Sequence, residues 1–328
     1  IFVCFALQYL PQLLPFYFLL LLSSVIYLLK TSKSKKYKKN FLIYCKMSKA
    51  CNIMRLALLQ LKGSKDKLAN LQNACNKIQE VVQEHRPHLI TLPECFNSPY
   101  GTKYFREYAE CIPTGTTSQQ LSELAKKCNV YIIGGSIPEL GENDNIYNTC
   151  TVWSPQGQLI AKHRKMHLFD IDVKGGMRFK ESDTLTAGND FTIIEIDGHK
   201  IGIGICYDIR FEEMARIYRN AGCEMLIYPA AFNMTTGPLH WELLQRSRAN
   251  DNQLFVATIS PARDETAEYV AYGHSMVVDP WAKIMKSAKE GEETIIADID
   301  FSMVAQVRQQ IPISCQRRRD LYETSKKC

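Results

Sequence analysis

KIGIGICYDIRFEEMARIYRNAG, residues 200–222, reads as a strand, a sharp turn and a helix, with a cysteine at the turn. The alternation of Ile with Gly predicts a buried strand over Lys200–Ile205, with the glycines letting other backbone approach closely. Phe211–Asn220 then shows helical spacing, placing Phe211, Met214, Ala215 and Tyr218 on one face, and Gly222 falls where a left-handed cap ends a helix. Cys206 therefore sits between the C-terminal end of a strand and the first turn of a helix. Backbone N–H groups converge at such a turn, which is where α/β proteins place reacting atoms. A buried structural cysteine is the plainer reading of this residue taken alone.

Working outward, the same logic builds a mixed α/β domain. Ile53–Leu61 alternates and reads as the first strand. Asp66 caps a helix running to about His85, with Leu68, Leu71, Cys75, Ile78 and Val82 on one face. His88–Leu92 is a short apolar strand ending in Pro93-Glu94-Cys95, which completes a parallel βαβ unit. Ser118–Cys128 reads as a helix and Val130–Ser136 as the next strand. Two hairpins follow, Tyr147–Ser154 with Gln158–His163 and Thr192–Asp197 with Lys200–Ile205, each with Gly at its turn. Glu224–Pro229, Leu254–Ser260, Gly273–Val278 and Thr294–Ile299 read as strands, the last two separated by an Asp279-Pro280-Trp281 turn. Leu239–Asn250 and Met303–Gln310 read as helices. Parallel units mixed with hairpins imply two sheets packed together with helices on the outer faces. No repeat or linker interrupts residues 47–328, so a single domain is expected there.

The 328 residues carry a net charge of +6, but seven lysines and no acid lie in residues 1–46, which leaves residues 47–328 at −1. That near-neutral body does not support a nucleic-acid footprint. Twelve cysteines include no C-x-x-C pair and no zinc-spaced cluster, so they are expected to be free thiols in a reducing compartment, with no metal. Ile1–Leu29 is nearly all apolar and Lys30–Lys39 is lysine-rich, a pattern that taken literally is a membrane anchor with a basic flank. Pro11 and Pro15 interrupt the apolar run, the chain opens without Met, and Met47 immediately precedes the first regular pattern. Residues 1–46 are accordingly read as an extension outside the native protein, with membrane association following only if residues 1–29 belong to it. Cytosol is the expected location, with mitochondria second.

Four residues at strand ends or in adjoining loops carry chemistry: Glu94 in LPECFNSPYG, Lys165 in HRKMHLFD, Glu181 in RFKES and Cys206 in GICYDIRF. Taken singly, Glu94 is a helix cap, Lys165 a solvated charge in a basic loop, and Glu181 a surface carboxylate. Together they meet one chemical need. A thiol of ordinary pKa near ~8.5 requires a base or a positive field to act as a nucleophile. A carboxylate can take its proton and hand it to a leaving amine. A lysine ammonium stabilises the thiolate and the oxyanion of a tetrahedral intermediate, alongside a backbone N–H. A second carboxylate holds the lysine and positions the substrate amine.

LPECFNSPYG, HRKMHLFDIDV and GIGICYDIRF, in that order, resemble the Glu-Lys-Cys signature of the nitrilase superfamily of C–N hydrolases. The resemblance extends over essentially all of residues 47–328. YPAAFNMTTGPLHWELLQRSRANDNQ, SPARDETAEYVAYGHSMVVDPW and VRQQIPISCQRRRDLY look most like its omega-amidase branch. The resemblance implies a four-layer αββα sandwich, a homodimer, no cofactor, and hydrolysis of the terminal amide of 2-oxoglutaramate or 2-oxosuccinamate through a cysteine thioester. It implies Glu94 as general base and acid, Lys165 as charge stabiliser, Cys206 as nucleophile, Glu181 as second glutamate and the Tyr207 amide as oxyanion donor. The substrate carboxylate calls for a cation, and Arg210, four residues past the nucleophile, is the candidate clamp. Tyr100, Phe232 and Thr236 match pocket positions, with core packing or loop hydrogen bonds as their plainer roles. The sister amidase acting on deaminated glutathione is the nearest alternative, and a non-catalytic interaction protein on the same fold is the alternative of another class. Lys174-Gly175-Gly176-Met177 departs from the familiar Pro-Gly pair ahead of Glu181.

Overall fold

A computed structural model describes residues 52–327, and the reading of residues 1–46 lies outside them. Strand β1 (Ile53–Gln60) leads into helix α1 (Lys67–His85), whose Asp66 cap accepts the Ala69 N–H at 3.0 Å, and then β2 (Leu89–Thr91). Helices α2 (Thr102–Tyr108) and α3 (Thr116–Cys128) precede β3 (Tyr131–Ile133), β4 (Ile137–Leu140), β5 (Ile146–Trp153) and β6 (Leu159–Arg164). A two-stranded ribbon, β7 (Asp170–Asp172) with β8 (Arg178–Lys180), is followed by β9 (Thr192–Ile196) and β10 (His199–Ile203). Then come α4 (Glu212–Asn220), β11 (Met225–Pro229), α5 (Gly237–Asn252), β12 (Phe255–Ile259), β13 (Met276–Val278) and β14 (Ile284–Ser287). β15 (Glu293–Asp300), α6 (Ser302–Gln310) and α7 (Ile313–Gln316) close the described chain.

The strands form two large sheets. One runs β15-β1-β2-β3-β5-β4 with β6 also on β5, and the other runs β14-β13-β12-β11-β10-β9. Each has a parallel triplet at its centre, β1-β2-β3 and β10-β11-β12, flanked by antiparallel strands. On β1 the alternation sorts side chains by layer: Ala57 and Leu59 pack with Leu71 and Ile78 of α1 and Leu121 of α3. Leu56 and Leu58 join a core that includes Ile201, Ile203 and Val256 of the other sheet, and α4 and α5 pack on that second sheet through Tyr218 and Trp241. The expected αββα sandwich is therefore the observed architecture.

Several local expectations are corrected. Leu68 is exposed, and Asn70, two residues on, is buried instead because its amide bonds the Ser64 backbone and hydroxyl. The Asp279 turn does not lead to the last strand. Asp279 accepts the Trp281 and Lys283 N–H groups and folds the chain back into β14, which pairs with β13, and β15 then joins β1 in the other sheet. Gly202 and Gly204 make room for side chains rather than backbone, since a Cβ at either would meet the Tyr218 or Tyr228 ring within 2.7 Å. Gly222 does hold a positive φ, +96°, after α4.

Candidate active site

Glu94 follows β2 and Lys165 follows β6 in the first sheet, whereas Cys206 follows β10 and Ala231 follows β11 in the second. The site therefore straddles the seam between sheets. Lys165, read as a solvated charge when taken alone, is fully buried. Its Nζ donates to Glu94 Oε1 at 3.0 Å and Glu181 Oε1 at 3.0 Å, with Glu181 Oε2 at 2.9 Å. Glu181, also buried, takes the Phe169 N–H at 2.6 Å and the Tyr100 hydroxyl at 2.6 Å. Glu94 takes the Asn148 amide at 2.8 Å on Oε1 and the Ala231 N–H at 2.7 Å on Oε2. One buried ammonium thus sits between two buried carboxylates, an arrangement stable only because each carboxylate oxygen is also met by a further donor.

Cys206 begins a short 3₁₀ segment, Cys206–Arg210, and holds φ +47°, a left-handed conformation that costs a non-glycine residue on the order of 1–3 kcal/mol. Burial pushes its thiol well above the ordinary value, with Glu94 adding to the rise while Lys165 and the Ala231 amide work against it. Burial likewise raises the Glu94 carboxyl, opposed by Lys165 and reinforced by Glu181. Burial alone would lower the Lys165 ammonium, but Glu181 and then Glu94 outweigh it and hold it well above the usual lysine range. Burial thus favours the thiol form of Cys206, while two carboxylates keep the charge on Lys165, which is bonded to Glu94.

A cavity of about 290 Å³ reaches Glu94, Tyr100, Ala231 and Tyr269, with Lys65, Tyr104 and Glu268 farther along its wall. Tyr100 stands in this wall, 4.4 Å from Tyr269 between ring centroids, and Tyr269 donates to the Ala231 carbonyl at 2.5 Å. Arg210 does not line that cavity. Its guanidinium lies 5.0 Å from the Phe232 centroid, 5.5 Å from that of Tyr207, and 3.2 Å from His240 Nδ1, with no acidic partner among the described residues. Phe232 is buried against Trp241. Thr236 is engaged locally, its N–H and hydroxyl both donating to Asn233 Oδ1 at the start of α5, so the loop role is the one the structure displays. Among the described residues no group of three or more His, Cys, Asp or Glu side chains converges to hold a metal ion.

Sequence reasoning missed the residues that tie these groups together. Fully buried Asp208 accepts the Ile205 N–H at 2.8 Å beside Cys206, and the His167 N–H at 2.9 Å beyond Lys165. It also meets His167 Nδ1 at 2.8 Å and His163 Nε2 at 3.3 Å. One carboxylate thereby straps the nucleophile turn to the loop that carries Lys165. Burial would raise Asp208, but these two histidines and the Ile205 amide hold it well below the carboxylate range. Asn148 braces both catalytic candidates, donating to Glu94 and accepting the Lys165 N–H on its carbonyl at 2.8 Å. Its signal was a lone amide inside the otherwise buried strand IYNTCTVW.

A domain description of carbon-nitrogen hydrolases matches residues 55–309. The chain is 56% identical over 273 residues to omega-amidase NIT2 of Xenopus tropicalis, covering 83% of this chain and 98% of that protein. It is 54% identical to omega-amidase NIT2 of Homo sapiens over the same length and coverage. Saccharomyces cerevisiae Nit3, a member of branch 10 of the nitrilase superfamily, superposes with a TM-score of 0.75 at 46% identity, covering 81% of this chain and 97% of its own. The NitFhit protein of C. elegans superposes at 0.76 with 30% identity, covering 83% of this chain and 67% of its own. With sheet order, buried charge cluster and near-complete alignment in agreement, the chain belongs to the carbon-nitrogen hydrolase family.

Proposed function

We propose that this protein is an omega-amidase that hydrolyses the terminal amide of a short 2-oxo acid, 2-oxoglutaramate or 2-oxosuccinamate, to the free acid and ammonia. The observation that carries the reading is the buried Lys165 bonded to both Glu94 and Glu181 across the sheet seam from the Cys206 turn, in a chain more than half identical to named omega-amidases. Glu94 takes the thiol proton as sulfur attacks the amide carbon, and passes it to nitrogen as the C–N bond breaks and ammonia leaves. Lys165 and the Tyr207 amide face the oxyanion. Water, deprotonated by Glu94, then attacks the thioester carbonyl. The C–S bond breaks, the proton returns to sulfur and the acid is released. Glu181 holds Lys165, and Arg210, which has no acidic partner among the described residues, clamps the substrate's carboxylate.

The protein acts as a homodimer in the cytosol. Leu239 and Leu243, one turn apart on the outer side of α5, are 69% and 59% exposed, which suits burial against a second copy. The eight free cysteines among the described residues suit a reducing compartment.

The test is ammonia release from 2-oxoglutaramate and from deaminated glutathione, by the protein and its Cys206→Ala variant. Cys206-dependent turnover favouring 2-oxoglutaramate is expected. Preference for deaminated glutathione would assign the sister amidase activity, and turnover of neither would overturn the amidase reading.

A further inference from the structure

Tyr269 lies in the irregular chain between β12 and β13, and its hydroxyl donates to the Ala231 carbonyl at 2.5 Å. Ala231 in turn donates its N–H to Glu94 Oε2 at 2.7 Å. All three residues line the same cavity. The residues on either side of Ala231 are held by backbone: the Ala230 N–H donates to the Ile259 carbonyl at 2.9 Å, and the Phe232 carbonyl accepts the Tyr272 N–H at 2.7 Å. The Ala231 carbonyl takes a side chain instead. A peptide plane is rigid, so a bond on that carbonyl restrains the torsions that aim the N–H one atom pair upstream.

The ring of Tyr269 is fixed as firmly as its hydroxyl. Its centroid lies 4.4 Å from that of Tyr100 and 5.9 Å from that of Phe179, and Tyr100 gives its own hydroxyl to Glu181 at 2.6 Å. One packed ring pair therefore serves both carboxylates that flank Lys165, Glu181 directly and Glu94 through Ala231. A partly buried tyrosine finds some partner for its hydroxyl in any fold. Here the partner is the one residue that bonds the candidate base from the second sheet. The rest of the segment is tied to the opposite wall by exposed contacts, Asp264 with Lys62 at 3.2 Å and Glu268 with Lys65 at 3.7 Å, which contribute little. Tyr269 is its inward anchor.

We propose that Tyr269 is a positioning residue of the reaction: by fixing the Ala231 carbonyl it keeps the Ala231 N–H on Glu94 and so sets how the base faces the nucleophile turn. The inference rests on Glu94 serving as the base for Cys206. A hydrogen bond to the ionised form favours that form, so slackening the Ala231 bond raises the Glu94 carboxyl further. The titratable groups around Glu94 are Lys165 after β6, Glu181 after β8, Cys206 after β10, Tyr100, Tyr269 and the adjacent Cys95. Burial holds the Tyr269 hydroxyl well above the usual tyrosine range, so it stays a neutral donor and its removal changes no charge in this set.

The test compares two pH profiles in the full chain and in Tyr269→Phe, which keeps the ring and removes the hydroxyl. One is the rate of Cys206 alkylation by iodoacetamide, followed by mass spectrometry of the peptide that carries it. The other is ammonia release from 2-oxoglutaramate. In the variant the ascending limb of both should move up by about 0.5 pH unit or more. Its kcat should fall about 3–10-fold, with KM changed by less than about twofold. Superimposable alkylation profiles overturn the proposal even where Tm falls, because the hydroxyl is then a structural bond alone. A raised KM with unchanged kcat also overturns it, since the hydroxyl would then serve the substrate. A shifted alkylation limb in a protein that releases no ammonia would sink the amidase reading and leave the role of Tyr269 standing.

Discussion

Asp208→Asn tests whether the strap between the two catalytic loops positions the chemistry. The carboxylate accepts on both oxygens, from Ile205 N–H and His163 on one and from His167 N–H and its ring on the other. An amide of the same shape has only one acceptor. Whichever way it turns, its NH₂ group faces a backbone N–H, that of Ile205 or that of His167, and leaves it buried without a partner. An unmet buried donor costs ~1–3 kcal/mol, and hydrogen bonds lost from a charged group add ~1.5–3 kcal/mol. A net loss of about 3 kcal/mol, or ~6–9 °C in Tm, is expected. The misplacement is transmitted to Cys206, two residues before Asp208, and to Lys165, which lies between His163 and His167. Shifts below an ångström in a reacting pair lower turnover by about 10–100-fold. Steady-state ammonia release from 2-oxoglutaramate should therefore show kcat falling by that factor with KM nearly unchanged. Because folding depresses the Asp208 carboxyl, its contribution to stability is complete above the ordinary carboxylate range and is lost as pH falls below it. The variant should lack that acid-side loss. Wild-type kcat alongside a lowered Tm would reduce Asp208 to scaffolding, and an unchanged Tm would refute the strap itself.

Other outcomes follow from the same geometry. Tyr100→Phe removes one of the donors to Glu181, so kcat should fall by less than about tenfold and stability by about 1 kcal/mol, measured by ammonia release and urea unfolding. Arg210→Ala should raise KM for the 2-oxo acid amide more than it affects a neutral amide such as propionamide; equal effects on both would discard the clamp. Burial holds the Glu94 carboxyl above its ordinary value, so kcat/KM should rise with pH through a range above that of a free carboxylic acid. Glu94→Gln should abolish turnover and that ascending limb together. Lys165→Met leaves Glu94 and Glu181 buried without their shared cation, at a cost of about 3–5 kcal/mol, visible as a collapse in thermal stability.

What the sequence disclosed and what it hid divide along physical lines. Cys206 was legible because an Ile/Gly strand, a turn and a helical stripe in Met214, Ala215 and Tyr218 are all local patterns. Lys165 was legible only in company with Glu94 and Glu181, for nothing local distinguishes a buried lysine from a solvated one. The bonds from Asp208 to His163 and His167 were invisible because they join segments about forty residues apart, and no periodicity encodes that pairing. Helix α2 escaped notice because TKYFREY offers one turn's worth of buried positions, Phe105 and Tyr108, too few to establish a period. Strand β14, IMKS, is half exposed and four residues long, and it gives too short an alternation to read. Thr236 illustrates the converse: a motif position whose side chain serves its own loop.

The seam on which the site is built makes the sandwich interior a measuring device. Glu94 and Lys165 ride on one sheet and Cys206 and Ala231 on the other, so the gap between base and nucleophile is the gap between sheets at that edge. Leu56, Leu58, Ile203 and Val256 fill that gap elsewhere and act as shims of fixed thickness. Interiors this dense transmit a change in volume instead of absorbing it. A methylene added or removed far from the sulfur is then felt as a change in reach between proton and acceptor. Drift in the hydrophobic core is thereby constrained by turnover as well as by folding, and the side chains that never meet the substrate hold the tolerance of the reaction.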